Sequence, residues 1–283
     1  MKLVFLYIIL SIIPMYAIEK PSYVIFEKGG KERDYNDLYK AALNADVILF
    51  GELHNNSLIH WLQFELLKDL NNELDSGSIT IGAEMFESDD QLIIDEYLNG
   101  DIRLKDLEKE AKVWNNFPTD YSPLLEFASE NSLKFIATNI PRRYASLVSR
   151  KGFDVLDTLS DEAKSYMCPL PVKTNLDLPS YKMMDQMGKG HGMDFIKNAQ
   201  AIKDATMAHF INQNLNKLFI HYNGSYHSDS FEGIYWHLKD LNPDLRIVTI
   251  SSKEQDDLKD LEEINKDVAD FIILTPKSMT KTY

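Results

Sequence analysis

Val47-Ile-Leu-Phe-Gly-Glu-Leu-His54 decides the reading of this chain. Four apolar residues follow one another without alternation, then Gly51 leads into Glu52 and His54. A strand buried on one face alternates apolar with polar; a strand covered on both faces does not. The stretch therefore predicts a central strand of a parallel sheet, with Glu52 and His54 at its carboxyl end.

The same pattern recurs on either side. Asn55-Asn56-Ser57 can cap a helix over 58–74. A strand over 79–83 runs into Glu84. Ser88-Asp89-Asp90-Gln91 has capping-box spacing ahead of a helix that Asn99-Gly100 closes. Helices follow over 104–113 and 122–130. A strand over 135–138 ends at Asn139, and Pro141 opens the next helix. After an irregular stretch come a long helix over 194–215, a strand over 218–220 leading into His221, a helix over 231–238, and strands over 246–250 and 271–274. The charged run 254–266, with Leu258, Leu261 and Ile264 as its apolar stripe, reads as a solvated helix. Upstream, 23–26 reads as a strand, Gly29-Gly30 as a turn and 35–43 as a helix. Strand–helix alternation at this spacing predicts an α/β fold, a mostly parallel central sheet with helices on both faces. Residues 158–193 break the rhythm with Pro169, Pro171, Pro179, Gly188, Gly190 and Gly192, and with a group of methionines. They read as a helical, Met-rich, lid-like insertion or as a plain irregular excursion. Methionine side chains repack readily around flat or flexible apolar ligands, which is what a lid needs.

The first residues have the layout of a secretory signal peptide: Lys2, an apolar run to Pro14, and Ala17 as the cleavage residue. The expected organisation is a signal peptide over 1–17 and one α/β domain over 18–283, exported to the periplasm or associated with an outer membrane. With 44 acidic and 30 basic residues the formal net charge is −14, which disfavours nucleic acid and anionic lipid as partners. A local basic cleft around Arg142, Arg143, Arg150 and Lys151 remains compatible with an anionic ligand. The one cysteine, Cys168, excludes an intrachain disulfide and reads as a small buried apolar residue.

Polar residues gather at strand ends: Glu52 and His54, then Glu84, then Asn139, Arg142 and Arg143, then His221, Asn223 and His227. Carboxyl ends of parallel strands share one edge of a sheet, and ligand sites collect there. Glu52, His54, Glu84 and His227 can bind a divalent metal. Without metal, His54 can act as a general base held by a carboxylate, and Arg142 can pair with Glu84 or clamp a ligand carboxylate. Serine-nucleophile and nucleotide-loop signatures are absent: Ser225 stands in Gly224-Ser225-Tyr226, outside a nucleophile elbow. His60 and His209 read as helix-borne core or surface residues. His237, late in its helix, reads as a protonated complement to the helix dipole. In the insertion, Tyr181, His191, Met184 and Met187 are of the types that ligate haem iron.

These residues also carry a family resemblance. The segments 47–54 with His60 and Gln63 after it, Gly82-Ala-Glu-Met-Phe86, Tyr121-Ser-Pro-Leu-Leu-Glu-Phe-Ala128, Ala137-Thr-Asn-Ile-Pro-Arg-Arg143, 199–208 and Asn223-Gly-Ser-Tyr-His227 together resemble the ChaN-like haem-binding uptake proteins. Those belong to the wider group that includes Tiki/TraB proteins and erythromycin-esterase-like enzymes. The resemblance implies an exported haem-binding protein of haem or iron acquisition. It implies a homodimer, with haem-uptake receptor or transporter components as partners, and site residues at Glu52, His54, Glu84 and His227. A Tyr or His on the insertion is then the iron ligand to suspect. Asn223-Gly-Ser-Tyr departs from the glycine-rich approach to the late histidine that is usual in the family, and no lipobox cysteine follows the apolar leader. Two other functions compete: a metal-dependent hydrolase or protease built on the Glu/His cluster, and a scaffold that recognises a partner protein without haem.

Overall fold

Val47–Glu52 is a strand buried at all six positions. Its odd and even residues serve different layers. Ile48 and Phe50 pack in the main core, with helix residues such as Leu62, Leu66 and Leu125. Val47 and Leu49 pack on the opposite face with Met207, Ile211, Ile234 and Leu238. This double coverage explains the missing alternation.

The computed structural model describes residues 20–188 and 193–283. In chain order it comprises β1 (Val24–Glu27), β2 (Lys31–Arg33), α1 (Tyr35–Leu43), β3 (Val47–Glu52), α2 (Ser57–Glu73), β4 (Ile79–Glu87), α3 (Gln91–Leu98), α4 (Leu104–Glu110), α5 (Ser122–Glu130), β5 (Lys134–Asn139), α6 (Arg142–Lys151), α7 (Asp161–Lys164), α8 (Pro179–Gly188), α9 (Ile196–Gln213), β6 (Leu218–Gly224), α10 (Ile234–Leu241), β7 (Ile247–Gln255) and β8 (Phe271–Pro276). The eight strands form one sheet in the order β2-β1-β8-β7-β3-β6-β4-β5. From β8 to β5 every pairing is parallel, and β1 joins β8 antiparallel. The expected α/β class is observed. The expected signal peptide, residues 1–17, lies outside the described residues. Among the described residues no helix is long and apolar enough to cross a membrane.

Because β6 inserts between β3 and β4, the carboxyl ends of three strands far apart in sequence stand side by side. Glu52 lies opposite Gly224, and Ala83 opposite Tyr222. Beyond Ala83, β4 bulges against β5: the register moves from Ala83↔Ala137 to Glu87↔Asn139. Bulges re-aim side chains at sheet ends. Here the amide of Asn139 donates to the Glu84 carbonyl at 2.9 Å and holds the bulge.

Two local expectations are corrected. The run 254–266 is not a helix. β7 continues to Gln255 in register with β8, and only Glu263–Asn265 makes a short 3-10 turn. The Gln255 amide takes over the backbone there, donating to Asp257 O and Asp260 O and accepting from Glu262 N at 3.0–3.2 Å. Leu258 and Leu261 are buried against β8, whereas Ile264 is exposed. The capping box at Ser88 is not made. Ser88 Oγ donates to Tyr166 O, and Gln91 reaches across to Phe135 O and Ala137 N. The early insertion is part of the core, since Met167 and Cys168 pack with Val148 and Ile202. Burial pushes the Cys168 thiol up to about 11, which fits its reading as a small buried residue.

Candidate functional site

The tight turn after β3 brings His54 back over its own strand end. Its Nδ1–H donates to Glu52 Oε1 at 2.8 Å. Tyr121 donates its hydroxyl to the same oxygen at 2.7 Å, and the Gln63 amide donates to Oε2 at 2.7 Å. Glu52 is thus buried yet fully partnered. Burial alone would raise its pKa, but the bond from His54 and the nearby His60 and His54 rings hold it below the ordinary carboxylate value. His54 is two-thirds buried: burial opposes its charge, and the Glu52 and Glu84 carboxylates outweigh that, raising its pKa. With Nδ1 committed to Glu52, Nε2 carries the free valence. It lies over Gly224, whose Cβ, if present, would fall 2.8 Å from Nε2 and 3.5 Å from Glu84 Oε2. Only glycine permits this approach.

The second half of the site hangs on β6. A 3-10 turn, Ser225–His227, follows the strand and swings His227 under Glu84. His227 Nε2–H donates to Glu84 Oε1 at 3.0 Å, and His227 Nδ1–H donates to Asp204 of α9. Glu84 Oε2 accepts from Gly224 N at 2.8 Å. Asp204 Oδ2 accepts the Tyr181 hydroxyl at 2.8 Å. Burial disfavours charge on His227, but two carboxylates outweigh it and raise its pKa to about 10. The same pairing holds Glu84 well below the ordinary carboxylate range against the opposing effect of burial. His227 is an imidazolium clamped between Glu84 and Asp204, so neither ring nitrogen has a lone pair to offer. Gly233 makes the turn possible, because a Cβ there would meet His227 O at 2.3 Å.

The strand ends therefore bring Glu52, His54, Glu84 and His227 together. They do so as two buried acid–imidazole pairs back to back rather than as four ligands around a point. Among the described residues no group of three or more His, Cys, Asp or Glu side chains is arranged to hold a metal ion. Arg142 does not pair with Glu84. It pairs with Glu87 and donates to Lys112 O at 2.8 Å. Arg143 pairs with Asp89 at 2.5 Å, so acidic partners offset the expected basic cleft. His221 sits inside β6, between Thr138 at 2.8 Å and Asn223 at 3.0 Å, and burial lowers its pKa to about 4. His237 is buried and its pKa is lowered, so it is not the protonated helix cap expected of it. Tyr181 is buried and committed to Asp204. Met184 is half-buried on α8. His191 and the side chain of Met187 lie outside the described residues.

Four participants carried no site role in the sequence reading. His60 is a member of the Glu52 network, with Nδ1 3.6 Å from Glu52 Oε2 and Nε2 3.2 Å from His54 O. Gln63, one turn later on α2, and Tyr121 complete that network; a polar stripe at i, i+3 on an otherwise apolar helix face was the available signal. Asp204 left a similar trace, an acid between Ala201 and Ala205 on the largely buried long helix.

The sequence model of the family described as haem-binding uptake, Tiki superfamily, ChaN matches residues 38–238. The chain belongs to this family. Among solved structures it is similar to ChaN of Campylobacter jejuni, described as binding haem cofacially, with a TM-score of 0.68 at 21% identity over 89% of this chain and 96% of that one. It is also similar to an erythromycin esterase EreC variant in its open conformation, with a TM-score of 0.51 at 11% identity over 92% of this chain and 98% of that one. A Bacillus cereus protein gives 0.51 at 13% identity over 86% of this chain and 92% of that one. At these identities the structural likeness shows the shared fold. No curated protein sequence matches the chain.

Proposed function

We propose that this protein binds haem as cargo and takes part in haem or iron acquisition outside the cytoplasm, exported by residues 1–17. Membership of the haem-binding uptake family over residues 38–238 carries the reading. The surface at the start of α9 supports it. A hollow of about 530 Å³ lies there, lined by Leu176, Asp185, Met193, Phe195, Lys197 and Asn198. Met193 and Phe195, which line it, are large apolar side chains left exposed. Such a face suits a flat macrocycle, and Lys197, 3.5 Å from Asp185, is placed to exchange that partner for a propionate. When bound, haem supplies an iron that accepts a histidine, tyrosine or methionine side chain. His191 stands two residues before Met193 and is the ligand we assign first, with Met184 and Met187 on the preceding turns as apolar contacts. Ligation by Tyr181 requires its hydroxyl to leave Asp204. A homodimer that encloses the cargo, and a receptor or transporter that receives it, complete the proposal.

Hemin titration tests this. The expected result is a saturable Soret shift that weakens at least tenfold in His191→Ala and is retained in Tyr181→Phe. The absence of any saturable shift in the intact protein sinks the haem reading. Loss in Tyr181→Phe alone moves the ligand assignment to Tyr181.

One observation favours a second reading, hydrolysis. The Glu52–His54 pair leaves Nε2 free and carboxylate-backed, an arrangement able to take a proton from water while Glu52 and Glu84 stabilise the resulting positive ring against the nearby His227 imidazolium. An ester and peptide screen should then show turnover that His54→Ala abolishes. Turnover equal in His54→Ala and the native chain rules out this pair as the catalyst.

A further inference from the structure

A cleft beside His54 is already engaged by a piece of this chain. After β8 the backbone turns at Lys277–Met279, with Met279 N donating to Pro276 O at 3.0 Å, and comes back across the loop that follows His54. Lys281 forms an antiparallel bridge with Asn56. Thr282 N donates to Asn55 O at 3.0 Å, and Thr282 Oγ1 donates to Asp120 Oδ2 at 2.9 Å. Lys281 pairs with Glu254, the same carboxylate that accepts the Asn56 amide. Tyr283 then lines a cleft of about 310 Å³ together with Trp114, Asn116 and Arg142.

That cleft adjoins the reactive ring. Trp114 meets His54 edge-on, with ring centroids 4.8 Å apart. The Asn116 amide donates to His54 O at 2.8 Å and to Asp120 Oδ2 at 2.7 Å. Thr282, Asp120, Asn116 and the His54 carbonyl thus form one hydrogen-bonded chain. The features that hold Lys281–Tyr283 are those that hold any extended peptide: a backbone edge at Asn55-Asn56, an acceptor for a hydroxyl at Asp120, and an aromatic shelf with a guanidinium opposite for the next side chain.

We propose that this lip is a docking edge for extended polypeptide, filled in cis by Lys281–Tyr283, and that the segment gates access to His54. It rests on the hydrolytic reading, with His54 reached past Trp114, and is independent of haem. Few bonds hold the segment and Tyr283 is 65% exposed, so it belongs to the parts of a fold that open locally without global unfolding. Tethering gives it an effective concentration in the millimolar range, which a free peptide can match.

Two readouts test the proposal on the full chain, on a chain lacking 279–283, and on Thr282→Pro, which removes both Thr282 donors at unchanged length. Circular dichroism confirms that each is folded. The rate at which diethyl pyrocarbonate modifies His54, mapped by mass spectrometry, should rise about tenfold in both variants while that of His209 stays level. The Trp114 indole N–H resonance should move on deletion, and a peptide of residues 277–283 at millimolar concentration should return it towards its position in the intact chain. An unchanged His54 rate overturns the gate. If that rate is fast throughout, the hydrolytic reading stands without the gate; if it is nil throughout, the hydrolytic reading falls with it. A displaced indole that the peptide does not move overturns the docking edge.

Discussion

His54 Nε2 lies over the α-carbon of Gly224, so close that a β-carbon there would stand 2.8 Å from it. The two residues are 170 positions apart in numbering, and they meet because β3 and β6 are adjacent and parallel with Glu52 opposite Gly224. Through this contact the Glu52–His54 pair and the Glu84–His227 pair share one wall.

Gly224→Ala should therefore act on His54 before anything else. The ring is the part of the contact able to yield, and its displacement breaks the 2.8 Å bond to Glu52. The raised pKa of His54 should return towards the ordinary imidazole value, read by NMR titration of its ring protons. Overpacking of this kind costs about 1–3 kcal/mol, so the melting temperature should fall as well. An unshifted His54 titration would falsify the contact.

The His227 clamp gives stability a pH dependence of known sign. Its folded pKa is raised to about 10, above that of the unfolded chain. Its contribution is then fully present below the unfolded imidazole value of about 6.5 and is lost as pH climbs through 10. Glu84, with its pKa lowered, contributes in the opposite sense: its share is present above the ordinary carboxylate range and is lost on acidification. Urea unfolding between pH 6 and 10 should show stability declining with pH, with a shallower decline in His227→Gln. Parallel slopes for the two chains would contradict the clamp.

Glu84→Gln removes one carboxylate from a buried imidazolium. Breaking a buried pair from one side costs about 3–5 kcal/mol, mostly because the remaining charge is left uncompensated. The double variant Glu84→Gln/His227→Gln should recover part of that loss, because the stranded charge goes with it. A double variant less stable than the sum of the single ones would mean that the pair does not couple in this way.

Asn56 has more to lose than an ordinary helix cap. Its carbonyl oxygen accepts from Leu58 N and Ile59 N, and its amide donates to Glu254 and Thr275 at 2.9 Å. Loss of a cap costs about 1 kcal/mol. Asn56→Ala should exceed Asp34→Ala, which removes the exposed cap of α1 with its single bond to Asp37 N. Equal denaturation midpoints for the two variants would show that the Glu254 and Thr275 bonds add nothing.

Much of the fold was legible from local pattern. The unbroken run at 47–50, the cap at Asn56 and the proline before α6 each act within a few residues, and periodicity reads them directly. The run 254–266 misled for the converse reason. Its leucine spacing is helical, yet pairing of β7 with β8 and the side chain of Gln255 claimed its backbone, and both are long-range effects. The candidate site divides along the same line. Glu52, His54, Glu84 and His227 announced themselves as polar residues at strand ends, whereas the roles of Asp204 and Tyr121 became visible only when α9 and the turn before α5 were packed against the sheet.

The sequence by itself determined which strands are covered on both faces and which polar residues reach the carboxyl edge, because burial and alternation are written in neighbouring residues. Only the tertiary structure decided the partners: His54 with Glu52, His227 between Glu84 and Asp204, and Arg142 with Glu87. Those choices depend on strand order, on the β4 bulge and on the loss of water around each charge, and these arise only when segments distant in the chain are brought together.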